Sequence, residues 1–408
     1  MAAARQRRGS GAAAAPGTEA GRALIAERNT LANDTAQILN DTDGMALALH
    51  WAAKGMYLTA PNPRIGCVIV RDGAVIGAGH TQPAGQAHAE IQALRDAQAR
   101  GNDVRGATAY VTLEPCSHYG RTPPCSNALV QAGVGRVVAA MTDPNPLVAG
   151  RGLAQLEAAG IAVTSGVLAE QAHELNIGFF SRMRRGLPWV RLKVAASLDG
   201  ATALAGGESQ WITGPDARAD GHAWRARAQA ILTGIGTVKA DDPQLTVRGI
   251  DTPLPPRRVI VDSRLEIDPG ARILQGEPCW IVAAVDVQGK CAEKAAALRA
   301  AGHDVFTLPN AQGKVDLPEL IRELGRREIN EVHVEAGSKL NASMVREGCV
   351  DELLVYLAPS LIGPGQGMFA LPPLARLGDK RQLRFHDVAR VGEDIRILAR
   401  FANTNIQH

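Results

Sequence analysis

Two stretches, His88-Ala89-Glu90 and Leu113-Glu-Pro-Cys-Ser-His-Tyr-Gly-Arg-Thr-Pro-Pro-Cys125, decide how this chain is interpreted. A histidine and two cysteines are ordinary zinc ligands, and three protein ligands leave a fourth coordination position open to water. Structural zinc sites are closed by four protein ligands, so this set is typical of a hydrolytic centre. Glu90 follows the histidine by two residues and is the candidate base. The spacing therefore predicts a catalytic zinc held by His88, Cys116 and Cys125.

The flanking sequence predicts secondary structure that would bring these ligands together. The predicted elements are a helix from Asp43 that ends at Gly55, a hairpin of strands Gly66–Val70 and Ala74–Gly77, a helix Ala87–Gln98, a strand Ala107–Leu113 and a helix beginning at Cys125. His88 and Cys125 then each lie at a helix start, where the positive end of the helix dipole favours thiolate over thiol. Strand and helix patterns that continue to Thr164 complete an alternating α/β domain.

The composition is that of a globular enzyme with more than one domain. A length of 408 residues exceeds one ordinary core, because domains contain about 100–200 residues each. The sequence has no uninterrupted apolar run of the about 18 residues that a membrane span needs. A formal charge of +3 and an aromatic content of 4% do not indicate a nucleic-acid partner, because nucleic-acid-binding proteins are typically basic and stack bases on aromatic side chains. Six scattered cysteines, two of them in the zinc motif, favour reduced thiols and a cytoplasmic location.

The first forty residues predict no folded element. They are rich in alanine, glycine and arginine, have no acid before Glu19, and show no alternating pattern. We therefore predict a disordered extension over residues 1–40. An organelle transit peptide and a dispensable extension both fit this composition, and the dispensable extension is favoured. A secretory signal is excluded because an apolar central segment is missing.

A basic stretch with glycine and proline, Arg182–Pro188, separates two alternating patterns. It predicts one domain over residues 41–185 and a second over residues 186–408. The predicted strands of the second domain are Trp189–Ala195, Ala230–Thr233, Arg258–Val261, Cys279–Ala283, Glu331–Glu335 and Glu352–Leu357. Helical segments lie between most of them, which indicates a largely parallel sheet. No GxGxxG follows a strand, so the residues alone do not support a Rossmann dinucleotide site.

Motifs throughout the chain resemble those of one enzyme family. They are HAE, LEPCSHYGRTPPC and DPNP in the first domain, and KVAASLDG, GESQWIT, ADDPQLTVR, VEAG and DELLVYLAPSLIG in the second. From about Asp43 to its end, the chain is similar to the bifunctional riboflavin-biosynthesis deaminase and reductase. The resemblance implies zinc-dependent deamination of 2,5-diamino-6-(5-phosphoribosylamino)pyrimidin-4(3H)-one to 5-amino-6-(5-phosphoribosylamino)uracil, then NADPH-dependent reduction of the ribosyl group to ribityl. The implied fold is a cytidine-deaminase-like α/β/α domain with zinc, joined to a dihydrofolate-reductase-like α/β domain.

In the first domain the resemblance implies a substrate pocket beside the zinc. The matching positions are Asn62, Arg121, Asp143 and Asn145. A guanidinium can hold a phosphate through paired hydrogen bonds, so Arg121 would explain the long loop between the two cysteines; the alternative is a surface arginine. The family's substrate-contacting histidine is replaced here by Thr81, with His80 one place earlier. Either His80 takes over that contact or the contact is missing.

In the second domain the resemblance implies sites for NADPH and for the substrate. The cofactor positions are Ala195, Trp211, Thr237, Asp241, Ser263, Gly337, Ser338, Lys339, Leu340, Asn341, Ala342 and Ser343. The substrate positions are Ser209, Arg225, Leu245, Arg248 and Glu335. A helix that starts after Gly337 suits a phosphate, and so do two arginines. Lys193 and Asp199, expected in a first βα turn, could act at the sugar C1 during hydride transfer or form a buried salt bridge.

Three other functions stay open at the level of the sequence. They are a nucleic-acid base deaminase, a zinc-stabilised scaffold whose second domain binds a nucleotide or a partner, and a deaminase with a degenerate reductase. The near-neutral charge argues against the first, Glu90 against the second, and the intact motifs of the second domain against the third. The expected partners are small phosphorylated pyrimidines, without nucleic acid or membrane, and we allow for a homo-oligomer.

Overall fold

The computed structural model describes residues 37–117, 124–145 and 149–402. The extension predicted over residues 1–40 lies outside this range except for its last four residues. We call residues 37–185 the N-terminal unit. Its described elements are α1 Asp41–Lys54, β1 Gly66–Arg71, β2 Ala74–His80, α2 Ala89–Ala99, β3 Thr108–Val111, α3 Cys125–Ala132, β4 Arg136–Ala139, α4 Arg151–Ala158, β5 Ala162–Ser165, α5 Ala169–Leu175 and α6 Ile177–Arg185.

Helix α1 and the hairpin that follows it lie close to where the sequence predicts them. The Asn40 side chain accepts a hydrogen bond from the backbone N–H of Asp43 at 3.0 Å, which satisfies one of the free donors at the helix start. Gly55 ends the helix. β1 and β2 pair antiparallel around Asp72 and Gly73, whose φ angles are 51° and 77°. Two successive positive φ values are typical of the tight turn that joins neighbouring hairpin strands.

The five strands of the N-terminal unit form a mixed sheet in the order β2-β1-β3-β4-β5. β1 is antiparallel to β2 and β3, whereas β3, β4 and β5 are parallel to one another. Neighbouring parallel strands end at the same edge of the sheet, so the segments that follow them also leave the sheet there. Residues 112–117, after β3, and residues 140–145, after β4, therefore emerge side by side. This edge carries Cys116 together with Asp143 and Asn145.

Residues 186–402 make up the C-terminal unit. Its elements are β6 Trp189–Ser197, β7 Ala201–Leu204, α7 Pro215–Arg227, β8 Ala230–Gly234, α8 Ile235–Asp241, β9 Arg257–Val261, β10 Trp280–Ala283, α9 Ala292–Ala300, β11 Asp304–Thr307, α10 Leu317–Arg326, β12 Glu331–Val334, α11 Ser338–Arg346, β13 Glu352–Ala358, β14 Gly365–Gly367, β15 Leu383–Val391 and β16 Asp394–Phe401. Short 3₁₀ turns lie at Arg272–Leu274 and Leu377–Asp379. Among the described helices of the whole chain, none is long and apolar enough to cross a membrane.

A nine-stranded sheet dominates the C-terminal unit, in the order β11-β10-β9-β8-β12-β6-β13-β16-β15. The first seven strands in this order are parallel, which confirms the predicted parallel sheet, and the β15–β16 hairpin adds an antiparallel edge. β8 and β12 are neighbours, and each leads into a helix, α8 and α11. The starts of these two helices therefore lie at the same edge of the sheet.

The prediction that Lys193 and Asp199 lie in a βα turn is wrong. Lys193 lies within β6, and the next element after Asp199 is strand β7, so the two residues do not share a strand-to-helix turn. The Asp199 carboxylate is exposed and accepts hydrogen bonds from the backbone N–H groups of Ile362 and Gly363, at 3.2 and 2.8 Å. β6 and β13 are parallel neighbours, and Asp199 joins the turn after β6 to the segment after β13.

The two units meet across a buried network of ion pairs centred on Glu331. Its carboxylate lies 2.7 Å from Arg64 of the N-terminal unit, and 2.7 and 3.2 Å from Arg227 and Arg191 of its own unit. Burial alone would raise the pKa of Glu331, but the charges of Arg227, Arg64 and Arg191 hold it below its ordinary value. Glu331 therefore stays ionised and links the units. The network continues through Glu352, Arg400 and Glu174.

Candidate active sites

The three predicted zinc ligands converge where two helices begin. His88 immediately precedes α2, Cys125 opens α3, and Cys116 follows β3. The Nδ1 atom of His88 lies 3.6 Å from the Sγ atom of Cys116 and 3.4 Å from that of Cys125. Zinc bonds of about 2.1 Å to nitrogen and about 2.3 Å to sulfur place these atoms about 3.6 Å apart at a tetrahedral centre. The three side chains therefore fit one zinc ion.

The protonation state of Cys116 suits a metal ligand. The backbone N–H of Cys125 donates a hydrogen bond to the Sγ atom of Cys116 at 3.3 Å. Hydrogen bonds from Cys125 and His88 outweigh the effect of burial and hold the pKa of the Cys116 thiol well below its ordinary value. Because the thiolate is the form that binds metals, this cysteine is prepared for coordination.

Glu90 is a buried carboxylic acid in the first turn of α2, with 4% of its surface exposed. Burial, followed by the negative charge of Cys116, raises the pKa of Glu90 to about 7. A group with a pKa near neutrality can both accept and release a proton during a reaction. Glu90 lines the same cavity as His88 and Cys116. Its position therefore fits a general acid and base beside the metal.

The cavity has a volume of ≈ 330 Å³ and brings together three of the four predicted substrate residues. Asn62 lies on one wall, and Asp143 and Asn145 come from the loop after β4. Burial raises the pKa of Asp143 to about 6. Arg121, the fourth residue, lies outside the described residues. The described wall thus includes polar side chains that supply both hydrogen-bond donors and acceptors.

Thr81, rather than His80, stands in the cavity wall at the position where the family has a histidine. Thr81 is 3% exposed and lines the cavity. The ring of His80 lies instead against Trp51, with 6.2 Å between the ring centroids. The strand alternation that directs neighbouring side chains to opposite faces explains the difference, because His80 is the last residue of β2. His80 therefore does not take over the contact.

Sequence reasoning missed Glu114, which organises the loop that carries Asp143 and Asn145. Its buried carboxylate accepts hydrogen bonds from the backbone N–H groups of Asp143, Gly150 and Gly152 at 3.0, 2.8 and 2.7 Å. Three such bonds hold the described residues Asp143, Gly150 and Gly152 next to the segment that carries Cys116. The position of Glu114 in the Glu-Pro-Cys motif, two residues before a zinc ligand, was the available signal.

A second constellation lies at the carboxyl end of β12. Arg225 of α7 forms a two-point ion pair with Glu335, in which Nη2 lies 2.9 Å from Oε2 and Nε contacts Oε1. The Nζ atom of Lys193 lies 3.9 Å from the same carboxylate. Burial lowers the pKa of Lys193, although the charge of Glu335 partly offsets it. The structure thus pairs Lys193 with Glu335, while Asp199 bonds elsewhere.

His222 joins this constellation and was missed by sequence reasoning. The backbone N–H of Arg248 donates to its Nδ1 atom at 3.2 Å. Burial and the charges of Arg225 and Arg248 lower the pKa of His222 to about 4, so it stays neutral at physiological pH. Arg225 also donates to the backbone carbonyl of Thr246 at 3.0 Å, which draws the segment with buried Leu245 into the group. No local pattern marks a single histidine within a helix.

The predicted cofactor segment begins at the start of α11. The backbone N–H of Gly337 donates to the Oγ1 atom of Thr237 in α8 at 3.1 Å, so two predicted cofactor regions touch. Gly337 and Lys339 are exposed, and Ser338, Leu340 and Ser343 are half-buried. Asn341 and Ala342 are only 2% and 1% exposed, so their side chains face the interior.

The other predicted residues of the C-terminal unit are spread around the same edge. Trp211 is 68% exposed, and the Arg218 guanidinium lies 4.8 Å from its ring centroid. Ser263 follows β9, and its hydroxyl accepts a hydrogen bond from the Val315 N–H at 3.1 Å. Ala195 lies on β6, Ser209 before α7, and Asp241 at the end of α8. Exposed Trp211 offers an aromatic face that a planar ring could contact.

Two family models match the two units separately. The cytidine and deoxycytidylate deaminase zinc-binding region matches residues 39–141, and the RibD C-terminal domain matches residues 188–397. The fold and the zinc-ligand geometry thus define a cytidine-deaminase-like domain joined to a RibD reductase domain, which confirms the predicted fold class.

Relatives that match both units give the family. The chain is 46% identical over 372 residues to the riboflavin biosynthesis protein RibD of Escherichia coli (strain K12), covering 88% of this chain and 98% of the relative. Acinetobacter baumannii RibD, form 1, matches at a TM-score of 0.79 and 42% identity, over 88% of this chain and 98% of that chain. The diaminohydroxyphosphoribosylaminopyrimidine deaminase/5-amino-6-(5-phosphoribosylamino)uracil reductase from Thermotoga maritima matches at 0.78 and 30%, with the same coverage. The chain therefore belongs to the RibD family of riboflavin biosynthesis proteins.

Proposed function

We propose that this chain catalyses two successive reactions of riboflavin biosynthesis. The first is hydrolytic deamination of 2,5-diamino-6-(5-phosphoribosylamino)pyrimidin-4(3H)-one, and the second is NADPH-dependent reduction of the ribosyl group of the product to ribityl. One observation carries the proposal: a buried carboxylic acid, Glu90, lines the same cavity as His88 and Cys116, two members of a three-ligand set that fits zinc. The similarity of both units to RibD proteins supports the pairing with a reductase.

In the proposed deamination, each group in the N-terminal cavity has a distinct role. Zinc, held by His88, Cys116 and Cys125, would supply a Lewis acid that makes water nucleophilic near neutral pH. Glu90 accepts the proton that the attacking water loses and returns protons to the ring nitrogen and the departing amine, so that ammonia leaves. The side chains that orient the pyrimidine are Asn62, Asp143 and Asn145. Arg121 is proposed to hold the phosphate.

The zinc assignment is tested by metal analysis of cysteine variants. We expect about one zinc per chain in the purified protein, because three protein ligands and water complete one tetrahedral site. Cys116→Ser should lose the metal and ammonia release together, since a hydroxyl is a poor substitute for a thiolate. Cys291→Ser is the matched control, because Cys291 is a partly buried free cysteine in the C-terminal unit. Zinc retained in Cys116→Ser at the control's level would contradict the assignment.

The reduction is proposed to take place at the carboxyl ends of β6, β8 and β12. NADPH would supply a hydride to the sugar C1, and one proton must accompany it. Lys193, whose pKa is lowered by burial, lies 3.9 Å from Glu335 and is placed to give that proton. The helix start after Gly337 would hold a cofactor phosphate. The other proposed cofactor residues are Ala195, Trp211, Thr237, Asp241 and Ser263, and the proposed substrate residues are Ser209, Arg225, Leu245, Arg248 and Glu335.

Glu335→Gln tests the reductase assignment. We expect the kcat/KM for reduction of the deaminated intermediate to fall about 30- to 100-fold, the equivalent of about 2–3 kcal/mol for a charged hydrogen bond. Ammonia release should stay unchanged, because Glu335 does not line the cavity that holds Glu90. Glu266→Gln is the control, since Glu266 pairs with Lys239 and Arg264 away from Glu335. Reduction at the wild-type rate in Glu335→Gln would contradict the assignment.

The remaining expectations stay predictions. The domain limits of 41–185 and 186–408, the cytoplasmic location and the homo-oligomer belong here. Phe385 and Val388 of edge strand β15, which are 75% and 51% exposed, support the homo-oligomer, because an apolar sheet edge favours pairing with a second chain. A degenerate reductase and a nucleic-acid base deaminase are not favoured, because relatives match both units.

A further inference from the structure

One residue of the C-terminal unit lines the cavity of the N-terminal unit. The described lining residues run from Pro61 to Phe179, with the single addition of Glu328. Glu328 is exposed and lines the cavity, and its charge also acts on the guanidinium of Arg182 in the N-terminal unit. The same cavity holds Glu90 and two of the zinc ligands. The C-terminal unit thus contributes an acidic side chain to the lining of the N-terminal cavity.

The backbone at Glu328 adopts a conformation that usually belongs to glycine. Helix α10 ends at Arg326, and the N–H of Ile329 donates to the carbonyl of Leu324 at 3.0 Å. This hydrogen bond, which spans six residues, is typical of the Schellman motif. In that motif a residue just after the helix adopts the left-handed conformation. That residue is Glu328, with a φ of 63°. A side chain there carries a steric cost that glycine avoids, and such costs concentrate at functional positions.

Contacts of Asn330, two residues after Glu328, hold this segment against the N-terminal unit. The Asn330 side chain donates to the carbonyl of Pro61 at 3.0 Å and accepts from the Nε atom of Arg182 at 2.6 Å. Pro61 immediately precedes Asn62, a proposed substrate residue. A Cβ atom at Gly178 would lie 2.5 Å from the Asn330 carbonyl oxygen, so the absence of a side chain there permits the close approach. The segment that carries Glu328 is therefore held in place by the deaminase unit.

We propose that Glu328 is a substrate-binding residue that determines specificity in the deamination, supplied by the reductase unit. The inference rests on the proposed function. A carboxylate oxygen accepts hydrogen bonds, so a group of the substrate that bonds to Glu328 is an N–H or O–H donor. The amine at C2 of the pyrimidine is the one that leaves at the metal. The donors that remain are the 5-amino group, the N–H groups at N3 and on the C6 substituent, and the ribosyl hydroxyls. Glu328 accepts from one of them.

The test measures steady-state ammonia release by the full chain carrying Glu328→Gln or Glu328→Gly. We expect KM for the diaminopyrimidine to rise about tenfold in both variants, because a hydrogen bond to a charged group is lost, with kcat within about twofold of wild type. Glycine suits the left-handed backbone, so the Tm of Glu328→Gly should not fall. Glu157→Gln is the control, because it removes an exposed glutamate outside the cavity lining.

Three substrate analogues test the 5-amino group and two ribosyl hydroxyls as the donor. If Glu328 accepts from the 5-amino group, the analogue without that group should show the same KM in wild type and Glu328→Gln. If the partner is a ribosyl hydroxyl, the 2′-deoxyribosyl or 3′-deoxyribosyl analogue should instead have the same KM in wild type and Glu328→Gln. If all three analogues keep the difference between wild type and variant, the donor is the N–H at N3 or on the C6 substituent. An unchanged KM for the full substrate in both variants overturns the inference and leaves the deaminase intact. A wild-type chain that releases no ammonia overturns the proposed function itself.

Discussion

Glu90→Gln should reduce ammonia release by about 10³-fold or more while the zinc content stays that of the wild type. Glutamine fills nearly the same volume but cannot take a proton, and general acid–base catalysis by a positioned group contributes about 10²–10⁴-fold. Glu90 is buried in the first turn of α2, and burial raises its pKa to about 7. The measurement is ammonia release at saturating substrate, together with metal analysis of the same preparation.

The internal control for Glu90→Gln is the second reaction. Reduction of the deaminated intermediate with NADPH should proceed at the wild-type rate, because Glu90 lies in the N-terminal unit and the Arg225–Glu335 pair in the other. Ammonia release that survives the substitution would show that another group moves the proton. Loss of zinc would show that Glu90 holds the metal site rather than acting beside it.

The largest expected effect on stability comes from Glu331→Gln. Removal of this charge leaves the guanidiniums of Arg64, Arg191 and Arg227 close together without the anion that they share. Breaking a buried ion pair by removing one partner costs about 3–5 kcal/mol, and we expect a loss of that size in the free energy of unfolding. Denaturant titration followed by circular dichroism measures it.

A surface glutamate provides the comparison for Glu331→Gln. Glu319 on α10 pairs with Arg322 and Arg326, whose side chains are 51% and 56% exposed. Exposed ion pairs contribute about 0–1 kcal/mol, so Glu319→Gln should change stability little. If the two variants lose the same free energy, the buried network does not hold the units together as described.

The sequence predicts the elements and the metal cluster because both depend on short-range patterns. Strand β3 and helices α2 and α3 are local features of periodicity, and the ligands lie at their ends. Once β3 and those helices form, His88, Cys116 and Cys125 have little freedom to lie elsewhere. The structure brings their ligand atoms within 4.8 Å of one another.

The features that sequence reasoning missed depend on contacts between distant residues. Arg64 and Glu331 are 267 positions apart, and Glu328 faces a cavity built by residues of the other unit. A charged residue in such a place looks in the sequence like any solvated surface residue. His222 and Glu114 were missed for the same reason, because their partners come from elsewhere in the chain. The wrong βα turn at Lys193 arose because the β6–β7 connection lacks the helix that an alternating pattern would supply.

One chain is expected first to remove an amine from the pyrimidine and then to reduce the sugar of the product. The direct test supplies the phosphoribosyl diaminopyrimidinone with and without NADPH, and follows ammonia and nicotinamide absorbance separately. We expect ammonia to appear without NADPH, and NADPH to be oxidised only after ammonia release begins, reaching about one NADPH per ammonia at completion. Ammonia without NADPH oxidation, when both substrate and NADPH are supplied, would contradict the two-step account and leave a deaminase alone.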